Sequence, residues 1–429
     1  MTQARLQSPA VTASQMCLEP IVHGIRANIA QICLQLLQIF LVGLTIGMSR
    51  VVIPGLAESQ FGLGQQSFFL LTSFVVVFGI VKALMNLIAG RLSERYGRKK
   101  ILLLGWYLAM PIPLLLLYAP SWNWIILTTV LLGFNQGLCW SMALNSKLDL
   151  SKNTQKGLVN GLNEFAGYVA VGLAGLITAY MTSVYGAPQA LFYFSFSVIL
   201  LGLILAKFTI VETLPWALQH QLDSTAPQTQ QVKNFWELIK ASSLESRPLF
   251  ALNQAGLVEK FTDGIVWIFL PVFFLSKGIS LIQSGAIIAI YGVVWGVSQL
   301  FTGPLSDRIG RKGLIVWGMW ICAIGVLLIP MTQNIVLWSL EAALIGIGMA
   351  MLYPNLGAAV GDFSPPQHRA SIIGIYRFWR DLGYAIGALI MGIMAQWSQN
   401  LLLPFYFVAA AMVCSGLIVQ CWLPATKPQ

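Results

Sequence analysis

Charge is what this sequence has least of. Only 9% of its 429 residues are Asp, Glu, Lys or Arg, where a soluble domain carries roughly 25%. Hydrophobic residues make up 57%, which excludes a large soluble core with a solvated exterior. Cysteine is also scarce. The six are Cys17, Cys33, Cys139, Cys322, Cys414 and Cys421, all but Cys17 in apolar runs, with no Cys-x-x-Cys pair. Neither a disulfide framework nor a metal site is indicated. There is no Walker-type phosphate loop, which argues against ATP-driven transport, and no nucleophile elbow or His-rich cluster. A membrane-embedded enzyme therefore lacks its chemistry, and no cofactor is expected. The residues before Asn28 are polar and mixed, without the basic-apolar-small order of a signal peptide.

What is abundant is long apolar runs. They predict an all-α polytopic membrane protein with spans near 31–55, 67–90, 101–118, 123–146, 158–181, 189–209, 251–275, 281–303, 313–330, 335–360, 371–395 and 402–422. Each is close to the ~20 residues that cross ~30 Å of hydrocarbon. The implied organisation is a tail (1–30), a six-span bundle (31–210), a linker (211–250), a second six-span bundle (251–422) and a short tail (423–429). The linker, with Asp223, Ser224, Thr225 and Pro227, reads as flexible. Its run Asn234–Leu244 is either a short interfacial helix or one helical turn in a disordered stretch.

The net charge of +10 does not signal nucleic acid, because the basic residues sit in loops without an aromatic-basic module. They include Arg91 and Lys100 after span 2, Lys147, Lys152 and Lys156 after span 4, and Lys312 after span 8; on the other side only Lys277 is found. That asymmetry places both termini in the cytoplasm and the protein in the plasma (inner) membrane.

The two bundles repeat each other. GRLSERYGRKK begins at Gly90 and GPLSDRIGRKG at Gly303, an offset of 213 residues. The same offset superposes Gly79 on Gly292, Asn86 on Gln299, Asp149 on Asp362, Lys156 on Arg369 and Gly161 on Gly374. A constant offset across several features indicates duplication, here of parallel six-span units.

With this doubled Gly-x-x-x-Asp-Arg-x-Gly-Arg-Lys/Arg segment, the chain resembles the major facilitator superfamily over nearly its whole length. One departure is Glu94 where the family usually has Asp; Asp307 keeps it. The resemblance implies the corresponding fold: twelve transmembrane helices in two pseudo-symmetric halves, a monomer in the lipid bilayer. It also implies a cytoplasmic latch. Gly90 and Gly303 allow close helix approach, and Glu94 and Asp307 sit against the N-termini of helices 11 and 5, where the macrodipole favours an acid. Arg95, Arg98, Arg308 and Arg311 then bridge to Asp149 and Asp362. Two family features are missing. Helix 4 has no arginine in LLGFNQGLCW, and helix 5 lacks the Gly-Pro pair of classical drug-proton antiporters, so standard drug antiport is not supported.

Ten ionisable residues fall inside spans: Arg50, Lys82, Glu164, Glu259, Lys260, Asp263, Glu341, Arg377, Arg380 and Asp381. A charge at mid-bilayer costs about 2.5–3.5 kcal/mol on insertion scales, so each calls for a partner or an aqueous cavity. None lies on spans 3, 6, 9 or 12, which the resemblance makes the outer scaffold. Arg377 and Asp381 share a helix face, as do Glu259 and Asp263. Asp381 lies ~15 Å and Asp263 ~18 Å from their cytoplasmic ends. Glu164 is a proton carrier, a substrate contact or the partner of Lys82. Arg50 and Glu341 are shallow enough for Arg50 to snorkel. Trp140, Trp295 and Tyr353 line a cavity or merely pack.

The expected function is secondary active transport of a small molecule by alternating access. Protons are the expected coupling ion, through Asp263, Glu164 or Asp381. Four cavity-helix bases, Arg50, Lys82, Arg377 and Arg380, point to a substrate with an anionic group. A non-transporting sensor that keeps the fold is the alternative.

Overall fold

The computed structural model of the protein describes residues 21–63, 67–223, 235–365 and 368–425. Among these residues all regular structure is helical. Hydrocarbon offers no partner to backbone N–H and C=O groups, so each spanning segment satisfies them within itself. The first half contains α1 (Ile29–Ser59), α2 (Phe68–Tyr96), α3 (Arg98–Leu117), α4 (Trp122–Leu150), α5 (Lys156–Tyr185) and α6 (Ala187–Phe208). The second half opens with α7, which runs from 247 to 276 in three pieces: Arg247–Gly264, a π-helical turn at Ile265–Phe269, and Leu270–Ser276. It continues with α8 (Leu281–Ile309), α9 (Arg311–Met331), α10 (Ile335–Phe363), α11 (Arg369–Ser398) and α12 (Leu403–Trp422).

Eleven of these twelve are long and apolar enough to span a bilayer, and α7 is the exception. Pro271 explains its break. It has no N–H for the preceding turn and its ring crowds that turn, so the backbone widens ahead of it. The predicted spans are recovered to within a few residues, several with longer ends; α2 continues to Tyr96, through the first part of the signature segment. One assignment changes. Lys147, expected in a loop, lies inside α4 and is fully buried, with Nζ 3.1 Å from the Gln35 carbonyl.

Between the halves, Leu214–Asp223 and Phe235–Lys240 are helical, the latter running into a π turn at Ala241–Glu245. Arg5, Cys17, Ser224, Thr225, Pro227, Lys233, Asn234 and Lys427 lie outside the described residues.

The duplication reappears in the packing. A Cβ on Gly79 would come within 2.6 Å of the Ala385 nitrogen, and one on Gly292 within 2.7 Å of the Gly172 Cα. Gly79 and Gly292 are repeat mates, and so are Gly172 and Ala385, each 213 residues apart. The halves therefore meet along two equivalent seams, α2 on α11 and α5 on α8. Absence of side chains lets the backbones approach there. At the other end of the same helices the picture reverses. A Cβ added to Gly90, Gly157, Gly161, Gly303 or Gly374 would meet nothing within 4 Å beyond its own helix turn. These lie at the face that carries the basic loops, hereafter the basic face. The halves touch towards the opposite face and part at the basic face.

Candidate functional site

Where the halves touch, buried charges join them. Arg50 on α1 and Asp263 on α7 form an ion pair, the side chains 1% and 0% exposed. Besides the shorter contact of Arg50 Nη1, Nη2 donates to the second carboxylate oxygen at 3.0 Å. Tyr291 donates its hydroxyl to the same carboxylate at 3.1 Å, and Tyr384 donates to it as well. The carboxylate is thus fully engaged, as a buried charge requires. Arg50 and Asp263 are themselves 213 residues apart. They are repeat mates facing each other across the pseudo-two-fold axis. Arg50 does not snorkel; its guanidinium packs 5.2 Å from the Trp267 ring centroid.

A second inter-half contact lies on the α2–α11 seam. Lys82 Nζ is 3.8 Å from the Asp381 carboxylate, which also accepts from the Asn86 amide and, at 3.3 Å, from Arg380. At the mate positions on the α5–α8 seam, Tyr168 stacks on Trp295 with ring centroids 3.5 Å apart. One architectural contact is thus built as an ion pair on one seam and as an aromatic stack on the other.

Lys260 lies between the seams. It is buried, 3.0 Å from Glu259 and 3.9 Å from Asp263. Its ammonium is ringed by Tyr353, Trp295, Tyr384 and Tyr168 at 4.8, 5.1, 5.2 and 5.9 Å from their ring centroids. Glu259 and Lys260 are both buried among the helices of the protein.

Towards the basic face the halves enclose an opening with two lobes of about 420 and 400 Å³. They share Asn160, Pro354 and Ala358. The first lobe, between α5, α8 and α10, is lined by amides such as Gln299 and Asn355, by apolar residues, and by the charged pair Asp307 and Arg311. The second is lined by Lys156, Arg377, Arg380 and a single acid, Glu164. Glu164 accepts from the Asn163 amide at 2.7 Å and from Trp140 at 3.4 Å, and its second oxygen has no protein partner. It does not pair with Lys82. Arg377 makes no ion pair among the described residues, because Asp381, its expected partner one turn on, faces α2. Arg380 stacks 4.5 Å from the Tyr353 ring centroid. Glu341 lies apart, accepting from the Thr332 hydroxyl at 3.1 Å.

The signature loops build one ion pair per half. Arg98 Nε is 3.1 Å from Asp149, and Arg311 Nε is 2.6 Å from Asp362. These are repeat mates again. Arg311 also reaches Asp307 at 3.4 Å, and Thr213 donates to Asp149 at 3.0 Å. Glu212 caps the start of α3, accepting from the Arg98 and Lys99 amides at 2.8 and 3.1 Å. Arg95 stacks over Tyr96, and Glu94 and Arg308 are exposed without an ion pair among the described residues. The docking of Glu94 and Asp307 onto the opposite half is absent in this conformation, because the basic face is open around Gly90 and Gly303.

Sequence reasoning missed the burial of Lys147, the donation of Tyr291 and Tyr384 to Asp263, and the cage around Lys260. The tyrosines carried a signal in hindsight, since a buried Asp among apolar helices needs donors.

A family model described as Major Facilitator Superfamily matches residues 36–252 and 255–429. A proton-coupled antiporter flippase, LtaA, of Staphylococcus aureus (strain USA300) is 25% identical over 337 residues, covering 77% of this chain and 80% of the relative. The quinolone resistance protein NorA of S. aureus (strain Mu50 / ATCC 700699) is 26% identical over 147 residues, covering 34% of this chain and 37% of that protein. The crystal structure of a D-xylose-proton symporter superposes with a TM-score of 0.74 at 16% identity, covering 94% of this chain and 99% of the other.

Proposed function

The chain belongs to the Major Facilitator Superfamily of transporters, and on that premise we propose that it is a proton-coupled secondary transporter of a small molecule bearing an anionic group. The basic face is its cytoplasmic face, and the two halves rock about the central charged layer. One observation carries the reading: the halves are joined by buried ion pairs and bare backbone at one end, and separated by a polar cavity at the other. That is one of the two end states alternating access requires. Coupling to protons is supported by the number of buried carboxyls and by the printed names of the proton-coupled relatives. An anionic group is supported by the cavity wall, where Lys156 and Arg377 face Glu164 and where Arg380 is already neutralised by Asp381.

A specific observation favours a second, narrower reading in which the substrate is amphipathic. The first lobe opens between α5 and α8, and Leu158, Phe301 and Leu305 at that flank are exposed. An apolar rim beside a polar lobe suits a head group in the cavity and a tail in the bilayer, and the relative LtaA is named a flippase.

The test is counterflow into proteoliposomes under an imposed pH gradient. Candidate substrates come from comparing metabolites of a deletion strain with its parent. Uphill movement of an anionic compound, abolished by a protonophore, is expected. Movement indifferent to the gradient refutes proton coupling, and a sole preference for cationic compounds refutes the anionic site.

A further inference from the structure

We infer that Glu259 is the group that carries the coupled proton, and that Lys260 operates it by exchanging one carboxylate for another. The inference rests on the proton-coupled reading above.

The starting point is an imbalance around Asp263. Its carboxylate is shared by two bases from different halves, Arg50 on α1 and Lys260 on its own helix. When the halves rock and the face opposite the basic loops opens, Arg50 moves away with its half into water. Asp263 is then a buried carboxylate without its guanidinium, held by the Tyr291 and Tyr384 hydroxyls of its own half but lacking a counter-charge. Lys260 is already 3.9 Å away, on the same rigid helix turn. Its cage of four aromatic rings can hold the ammonium in either position, because cation–π attraction is broad compared with a hydrogen bond. A shift of about an ångström pairs it with Asp263.

That shift abandons Glu259. Its carboxylate is fully buried, and its ion pair with Lys260 lacks hydrogen-bond geometry, so neither oxygen receives a hydrogen bond from the protein. The other charged groups within reach are Asp263, which repels it, and Arg380, committed to Asp381. From α9 and α11, Cys322 and Tyr376 face it as neutral groups. Deprived of Lys260, the Glu259 carboxylate binds one proton and becomes a neutral acid. The return stroke reverses each step. Arg50 re-engages Asp263, Lys260 returns to Glu259, and the proton leaves. Tyr376 packs on α7 at Gly256 and lines the second lobe, so it marks the exit towards the basic face. One proton is bound and one released per cycle, and the set of Asp263, Lys260 and Glu259, with Arg50 while it is buried, stays neutral in both states.

The experiment measures the population of the two states by spin-label distances in the full-length protein in nanodiscs. The labels are placed at Leu158 and Leu305 across the basic face, with Cys17, Cys33, Cys414 and Cys421 replaced by Ser. With one proton linked to the transition, the ratio of closed to open basic face rises up to about tenfold per unit fall in pH. Glu259→Gln, a neutral mimic, is expected to favour the closed basic face at every pH and to abolish that dependence. Glu259→Asp, which keeps a titratable group and guards against a misfolded Gln variant, is expected to retain the dependence with a moved midpoint. Glu164→Gln is expected to keep it unchanged. No dependence in the parent protein overturns the proton-coupled reading itself. Dependence that survives in Glu259→Gln, or vanishes in Glu164→Gln, leaves that reading intact and overturns the role given to Glu259.

Discussion

Replacing Asp263 by Asn tests the central claim that buried charge holds the face opposite the basic loops shut. In the observed state Arg50 is 1% exposed and meets the whole of the Asp263 carboxylate. Asn keeps the shape and one acceptor oxygen, but leaves the guanidinium buried without a counter-charge. Breaking a buried pair in this way costs about 3–5 kcal/mol. The penalty applies only while Arg50 is buried. Once that face opens, water solvates it. The substitution therefore raises one end state, while in the other Lys260 stays with Glu259 in place of Asp263 and keeps a counter-charge. At 1.4 kcal/mol per tenfold, the equilibrium moves by roughly two to three and a half orders of magnitude towards the state closed at the basic face. Spin labels at Gln60 and Lys277, exposed ends of α1 and α7 on opposite halves, read this directly as a longer distance. A second variant separates charge from packing. Arg50→Met with Asp263→Leu removes both charges, and such replacements are often neutral or stabilising. It is expected to recover the short distance. If Asp263→Asn leaves the distance distribution of the parent protein, the pair does not hold the gate and the argument fails.

Three further outcomes follow from the same geometry. Lys82→Met leaves Asp381 with Arg380 and Asn86, so the shift at Gln60–Lys277 is expected to be about tenfold or less, well below that of Asp263→Asn. Gly292→Leu puts a side chain where the Gly172 backbone lies within van der Waals contact; the same labels are expected to show that this variant cannot close that face, while circular dichroism shows its helices intact. Arg377→Ala removes the one cavity arginine without an ion pair among the described residues. For an anionic substrate KM is expected to rise about 10- to 100-fold with a smaller change in kcat, the magnitude of one charge-assisted hydrogen bond, measured by initial rates in proteoliposomes.

The parts of this molecule legible in its sequence are those enforced by the solvent. Hydrocarbon demands ~20-residue apolar helices, so spans could be counted from composition. The break in α7 also had its mark in Pro271. Duplication left a constant offset, and the signature pairs Arg98–Asp149 and Arg311–Asp362 could be read from it. The pairing of the central charges was not legible, because helical periodicity ranks neighbours on one helix but says nothing of how helices are rotated against each other. Arg377 and Asp381 share a periodicity, yet Asp381 turns to Lys82 and Asn86 on another helix. Arg50 looked shallow by residue count, and its burial depends on Asp263 being brought opposite by the fold. Lys147 was counted as a loop residue because a helix end cannot be located to within a turn from hydropathy.

The offset carries more than ancestry. Arg50 and Asp263, Lys82 and Trp295, and Tyr168 and Asp381 are all mates at 213 residues. Duplication of a single half would place identical residues at each pair, and identical charges meeting across the axis would repel. Divergence has given the axial contact opposite charges and has made the seams chemically unequal. The α2–α11 seam is closed by Lys82 and Asp381, whose attraction weakens as water and ions enter. The α5–α8 seam is closed by Tyr168 on Trp295, whose contact has no charge to screen. On the proposed exchange of partners among the central charges, a scaffold with one ionic and one apolar seam separates more readily along the ionic side. The two halves are therefore unequal in their side chains at the seams, and unequal in backbone where α7 carries a π turn that α1 lacks.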